Sequence, residues 1–133
     1  SMFGILDQVV VLGQDKPFIS ALIVPNLDAI INKMTEVGME FNKEGVVYAE
    51  ENGMQVVVEV PPEIVAGDVV TFMVRDAIDR VNAQLEPYEQ IKEFRILNKK
   101  FTEQNGMMTP SAKIKTKNVL AAYQDVYDDI YKK

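Results

Sequence analysis

Lysines at alternate positions, Lys113, Lys115 and Lys117, follow an Asn105-Gly106 pair and a Thr109-Pro110 step, and they are this chain's best means of doing chemistry on anions. An ammonium is a compact charge with three donors, able to bridge two anionic oxygens at once. Asn-Gly readily takes positive φ and turns the chain. Asn105 and Gly106 therefore read as a structural turn, and with Pro110 they would position the loop that carries the lysines. On an extended backbone, alternate side chains share one side, so Lys115 and Lys117 would add attraction for phosphates. Spacing alone favours a plainer reading, in which the three lysines are a solvated basic strip ahead of a helix.

The chain contains no Cys and no His. Nearly all zinc sites, thiol nucleophiles and imidazole triads need one or the other, so the chemistry left is that of Lys, Arg, carboxylates, hydroxyls and backbone. Missing cysteines also give no argument for an oxidising compartment. A net charge of -6 disfavours general binding to a phosphate backbone, and no nucleic-acid partner is expected. No apolar run reaches the ~20 residues that span a bilayer. A cytoplasmic domain without a transmembrane segment is the default expectation. Ser1-Met2 lacks the features of a signal peptide and reads as a tag scar.

A chain of 133 residues fits one core, and its 47% apolar and 26% charged residues are ordinary for a folded domain. Val9–Leu12 and Phe18–Val24 read as neighbouring antiparallel strands, their continuous apolar runs suggesting burial on both faces, or one face against helices and the other against a partner surface. Asn26 caps a helix with Leu27, Ile30, Ile31, Met34 and Val37 on its apolar side, ended by Gly38. Glu51-Asn52-Gly53 between alternating runs predicts a hairpin, the other possibility being an irregular insertion with one short strand. Asp68 can cap a long helix bearing Val70, Val74, Ala77, Ile78, Val81 and Leu85, which Pro87 terminates. Ile91–Leu97 reads as a third main strand. A last helix from about Asn118 places Val119, Tyr123, Val126 and Ile130 on one stripe. Tyr123, Tyr127 and Tyr131 read as packing with hydroxyls at the rim, and Met107-Met108 as either a gap filler or an exposed contact. The result is an α+β fold: a small three-stranded main sheet covered by helices, with a hairpin-like insertion.

Three stretches carry a resemblance: VVVLGQDKPFISALIVPN (Val9–Asn26), LEPYEQIKEFRIL (Leu85–Leu97) and FTEQNGMMTPSAKIK (Phe101–Lys115). Their order and spacing resemble the C-terminal domain of the acyl-adenylate-forming family, specifically its AMP-forming long-chain fatty acid CoA ligases. The resemblance covers nearly the whole chain except Met39–Gly67, where the family usually looks helical. Thr116 stands where the family commonly has Arg. The family's hinge residue and glycine-containing loop should precede Phe3, which implies a truncated lid domain over 3–133 with an insertion around 39–67.

The resemblance assigns Lys113 the catalytic role in adenylation. There a fatty carboxylate attacks the α-phosphate of ATP, and a mobile cation offsets the repulsion between two anions. It also implies ATP and CoA as co-substrates of the full-length enzyme, magnesium and most nucleotide contacts in a larger N-terminal adenylation domain, and no activity of the fragment alone. The lid would reorient so that CoA can attack acyl-AMP. The competing expectation, from another class, is a free-standing module that binds a small molecule or a protein, because fold alone does not fix function. A native start near Phe3 would favour the module; several hundred preceding residues with a phosphate loop would favour the ligase.

Overall fold

The computed structural model describes residues 4–132, so the expectations placed on Ser1, Met2 and Phe3 lie outside the described residues. Strands β1 (Leu6–Leu12) and β2 (Ile19–Pro25) pair antiparallel, with Val9 opposite Ile23. Of these two runs, only β2 is buried on both faces. It is continuously buried from Ser20 to Pro25, whereas β1 alternates, burying Gln8, Val10 and Leu12 and leaving Val11 58% exposed. That alternation belongs to an edge strand covered on one side. Strand β5 (Ile91–Ile96) runs parallel to β2, giving the order β1-β2-β5.

Helix α1 (Leu27–Glu36) starts where expected: Asn26 Oδ1 accepts from the Ala29 N–H at 3.1 Å. Leu27, Ile30 and Ile31 are buried, while Val37 falls just beyond the helix and is 54% exposed. The hairpin is present as β3 (Val47–Glu51) and β4 (Met54–Glu59), turned by Asn52 and Gly53 at φ 52° and 80°. Positive φ at both residues matches the right-handed twist of the flanking strands. Asp28 accepts from the Val57 N–H at 3.0 Å, which holds the hairpin against α1.

Pro61-Pro62 does more than break the chain. Pro62 opens a short helix α2 (Pro62–Ala66) that buries Ile64 and Val65, too brief to show periodicity in sequence. Helix α3 (Asp68–Asn82) follows, and two expectations about it are corrected. Gly67 is its cap, with Asp68 the first helical residue and making no side-chain capping bond. It ends at Asn82 rather than Pro87, because Asn82 and Gln90 close the turn. Asn82 exchanges two 2.9 Å bonds with the Ile91 backbone, and Gln90 Nε2 donates to the Asn82 and Leu85 carbonyls. Val70, Val74, Ala77 and Ile78 form the buried stripe, and Arg75 lies 4.9 Å over the Phe94 ring.

The terminal helix is two: α4 (Thr116–Ala122) and α5 (Gln124–Tyr131), broken where Tyr123 leaves helical geometry at φ -115°, ψ 30°. The break leaves Val119 and Ile130 both buried in the core. Tyr131 Oη donates to the Phe18 carbonyl at 2.9 Å and sits 2.8 Å from the buried Ser20 Oγ, so the tyrosine series is packing, as expected. Helices and sheets thus form the α+β arrangement expected from sequence.

Candidate functional site

Between β5 and α4 the chain has no long element, yet nearly every turn of it is held by hydrogen bonds. Its root is Phe101, 1% exposed and packed in the core. The buried Gln8 carboxamide brackets that residue. Gln8 Nε2 donates to the Phe101 carbonyl at 2.9 Å, and the Phe101 N–H donates to Gln8 Oε1 at 2.7 Å. Gln8 Nε2 also lies 3.3 Å from Met108 Sδ. An amide buried on a strand interior tolerates no missing partner, and here both its functions are used. Gln8 precedes the run Val9–Leu12 read as a strand from sequence, and no local pattern marks it, because its partner Phe101 lies 93 positions away.

Next, Asn105 ties a knot. Its Oδ1 accepts from the Thr102 and Met107 N–H groups at 3.0 and 3.2 Å, its Nδ2 donates to the Lys100 carbonyl at 2.9 Å, and Gly106 takes φ 78°. Asn118 Nδ2 donates to the Gly106 carbonyl at 2.7 Å, joining the knot to α4.

From this base a small hairpin projects over Met107–Lys115. The Lys115 N–H donates to the Met107 carbonyl and the Thr109 N–H to the Lys113 carbonyl, both at 2.8 Å, with Met108 bridged to Ile114. At the tip, the Ala112 N–H donates to the Thr109 carbonyl at 2.9 Å. Pro110 occupies the second turn position, which its fixed φ suits. Lys113 is the first residue after the tip, exposed, its N–H donating to Thr109 Oγ1 at 3.0 Å.

Ala112 sits at φ 64°, a left-handed conformation that costs a residue with Cβ roughly 1–2 kcal/mol. Ala112→Gly relieves that strain while adding about 0.4–1 kcal/mol of entropy to the unfolded chain. The expected outcome is a net gain of at most about 1.5 kcal/mol in a denaturant titration. A lower midpoint would show the turn unstrained.

The lysines do not share an extended side. Lys113 stands on the hairpin, Lys115 caps α4, and Lys117 is inside that helix, because helical geometry begins at Thr116. All three are exposed, and among the described residues none has an ion pair.

Beside the hairpin lies a polar cleft of about 610 Å³, with Asp7, Glu51, Lys100, Thr102, Thr109 and Ala112 on its walls. Lys100 Nζ pairs with Glu51 at 3.1 Å. Loss of solvation pushes the Asp7 carboxyl above its ordinary value of 3.8, with the Glu51 and Asp28 charges adding to the shift and Lys100 opposing it. A raised carboxylate favours the protonated fold. Its contribution is therefore complete below about pH 3.8 and is lost as pH rises through the raised value. Asp7→Asn should remove that dependence, giving a melting temperature slightly above that of the unmodified chain at pH 7 and equal to it at pH 3. A variant that melts together with the unmodified chain at pH 7 as well as at pH 3 would contradict the assignment. No group of His, Cys, Asp and Glu able to hold a metal ion occurs among the described residues.

No protein-family model matches the sequence. The fold is found within adenylation domains of carboxylate reductases. It aligns with that of Mycobacterium chelonae at TM-score 0.65 and 15% identity, covering 98% of this chain and 16% of the other. For the reductase of Segniliparus rugosus, solved in complex with AMP, the TM-score is 0.59 at 19% identity, covering 97% and 14%.

The sequence itself has relatives among acyl-CoA ligases. It is 30% identical over 129 residues to long-chain-fatty-acid–CoA ligase FadD15 of Mycobacterium tuberculosis, covering 97% of this chain and 19% of the relative. It is 26% identical over 131 residues to probable acyl-activating enzyme 16, chloroplastic, of Arabidopsis thaliana, covering 97% and 15%. The homologues are thus acyl-CoA ligases and acyl-activating enzymes, and the chain spans under a fifth of their length. No described helix is long and apolar enough to cross a membrane.

Proposed function

We propose that this chain is the mobile C-terminal domain of an AMP-forming long-chain fatty acid CoA ligase, and that Lys113 is its adenylation lysine. The observation that carries the reading is the presentation of Lys113: an ammonium with no ion pair among the described residues, just past the tip of a hairpin whose base is tied to the core. A rigid base fixes where the side chain is delivered, and an exposed tip leaves it free to meet a ligand supplied by another body.

The surroundings favour that division of labour. Carboxylates outnumber ammonium groups along the cleft beside the hairpin, so the cleft is poorly suited to hold a triphosphate by itself. A larger adenylation domain of the same protein would bind ATP, magnesium, the fatty acid and, after reorientation, CoA. Lys113 would enter only to bridge carboxylate and α-phosphate as they approach. Lys115 and Lys117 would strengthen attraction for phosphates, and Asn105, Gly106 and Pro110 would hold the hairpin's aim. A cytoplasmic setting, peripheral to the membrane through the larger domain, fits such substrates.

The test is fatty-acid-dependent pyrophosphate exchange by the full-length protein beside its Lys113→Ala variant, with acyl-CoA formation followed in parallel. Normal exchange by the variant, with the unmodified enzyme active, would overturn the role of Lys113. Failure of the unmodified full-length protein to form acyl-AMP from any fatty acid would overturn the ligase reading itself.

A further inference from the structure

On another part of the molecule, sharing no lining residue with the cleft beside the hairpin, α1, α2 and the start of α3 enclose an apolar groove of about 420 Å³. That volume is in the range of sites that take a ligand or an anchoring side chain, roughly 300–1,000 Å³. Its walls include Met34, Met39, Phe41, Ile64, Val69 and Met73. Three of these are left open to water by the fold: Val69 is 67%, Met39 53% and Met73 45% exposed. Methionines are unbranched and polarizable, so a wall built from them adapts to the shape of an apolar partner.

The charges around the groove select the occupant. Lys33 is on the lining, but its ammonium pairs with Glu36 at 3.4 Å. Glu40, Glu63 and Asp68 also line the groove, and among the described residues none of them has an ion pair. An apolar floor therefore lies under a rim on which three carboxylates face one ammonium, Lys33, already paired with Glu36. A fatty carboxylate would meet repulsion there, and so would a second copy of this chain, whose net charge is -6.

We infer that the groove is a docking site for a basic amphipathic segment of a partner protein, which seats aliphatic or aromatic anchors between α1 and α3 and sets Lys or Arg against the rim. This is the groove mode of peptide recognition, in which burial of the anchors gives affinity and the flanking charges give selection. The inference stands apart from the ligase reading, since neither Lys113 nor its hairpin takes part.

The probe is a fluorescein-labelled amphipathic helix of leucine and lysine, titrated with this chain and followed by anisotropy. Saturable binding is expected, weakened tenfold or more by Met73→Asp and by the pair Glu63→Lys and Asp68→Lys, all exposed positions whose replacement leaves the core intact. The pair Asp125→Lys and Asp128→Lys on α5 makes the same change in net charge away from the groove and should leave binding within about twofold, as expected for surface charges acting through screened solvent. Equal weakening by both pairs would mean general attraction to an acidic protein and overturn the proposal. So would absent binding, or equal binding of a leucine-glutamate helix. Sedimentation as a dimer that Met73→Asp dissociates would assign the groove to a second copy and refute it as well.

Discussion

Lys113→Ala in the full-length protein is expected to slow acyl-AMP formation by two to three decades, corresponding to about 2.7–4 kcal/mol of lost transition-state stabilisation. The magnitude is that of removing one preorganised donor from a site where charge develops. In the proposed adenylation the charge arises when a carboxylate is driven against a phosphate, and the hairpin's other cation, Lys115, stands at its base rather than at its tip. Lys115 and Lys117 are on α4 and its cap, so their alanine variants should have much smaller effects, chiefly on apparent affinity for ATP. Because Lys113 is exposed and its hydrogen bonds among the described residues are made by its backbone, the variant should melt at the unmodified temperature. A matching loss of stability would mean that the activity had fallen for structural reasons.

Gln8→Leu carries the second large expectation, and it concerns the root of the same hairpin. The substitution keeps an apolar side chain of similar size but leaves the Phe101 N–H and carbonyl without partners in a buried place. Each orphaned group costs about 1–3 kcal/mol, so a loss of roughly 2–6 kcal/mol should appear in chemical denaturation. Gln8→Glu refines the test. An ionised carboxylate can accept from the Phe101 N–H but opposes its carbonyl, whereas the protonated acid can satisfy both. The native fold would therefore raise the pKa of the introduced group. Relative stability would be greatest below the ordinary glutamate value of about 4.3 and would decline as pH rises through the raised one. Wild-type stability of Gln8→Leu at neutral pH would remove Gln8 from any role in holding the loop.

Much of this fold was legible from local pattern. The capping Asn26, the Asn52-Gly53 turn and the stripe from Val70 to Ile78 are each set by residues close in sequence, and each appears where expected. Failures arose where distant or brief interactions decide. Helix α3 ends at Asn82 because Gln90 and Ile91 fold back onto it, which no spacing within the helix announces. Helix α2 has too few residues to display a period. The alternation hidden in Val9–Leu12 depends on which face the rest of the molecule covers, and three consecutive valines do not disclose that.

The lysine region divides in the same way. Asn105 and Gly106 announce a turn by their chemistry, whereas the Gln8 bracket joins residues 93 positions apart and could be found only in three dimensions. Placing Lys113, Lys115 and Lys117 on one extended side was wrong because α4 begins at Thr116.

That long-range bracket has a kinetic consequence. The parallel pairing of β2 with β5, the contact of Gln8 with Phe101, and that of Phe18 with Tyr131, 113 positions away, all wait for most of the polypeptide to be available. Chains dominated by such distant partners fold slowly, since closure entropy is lost before the contacts form. During synthesis, the sheet cannot be completed until the strand preceding the lysine hairpin has left the ribosome. Sealing of the interior and the setting of the hairpin's root therefore belong to one late closing event.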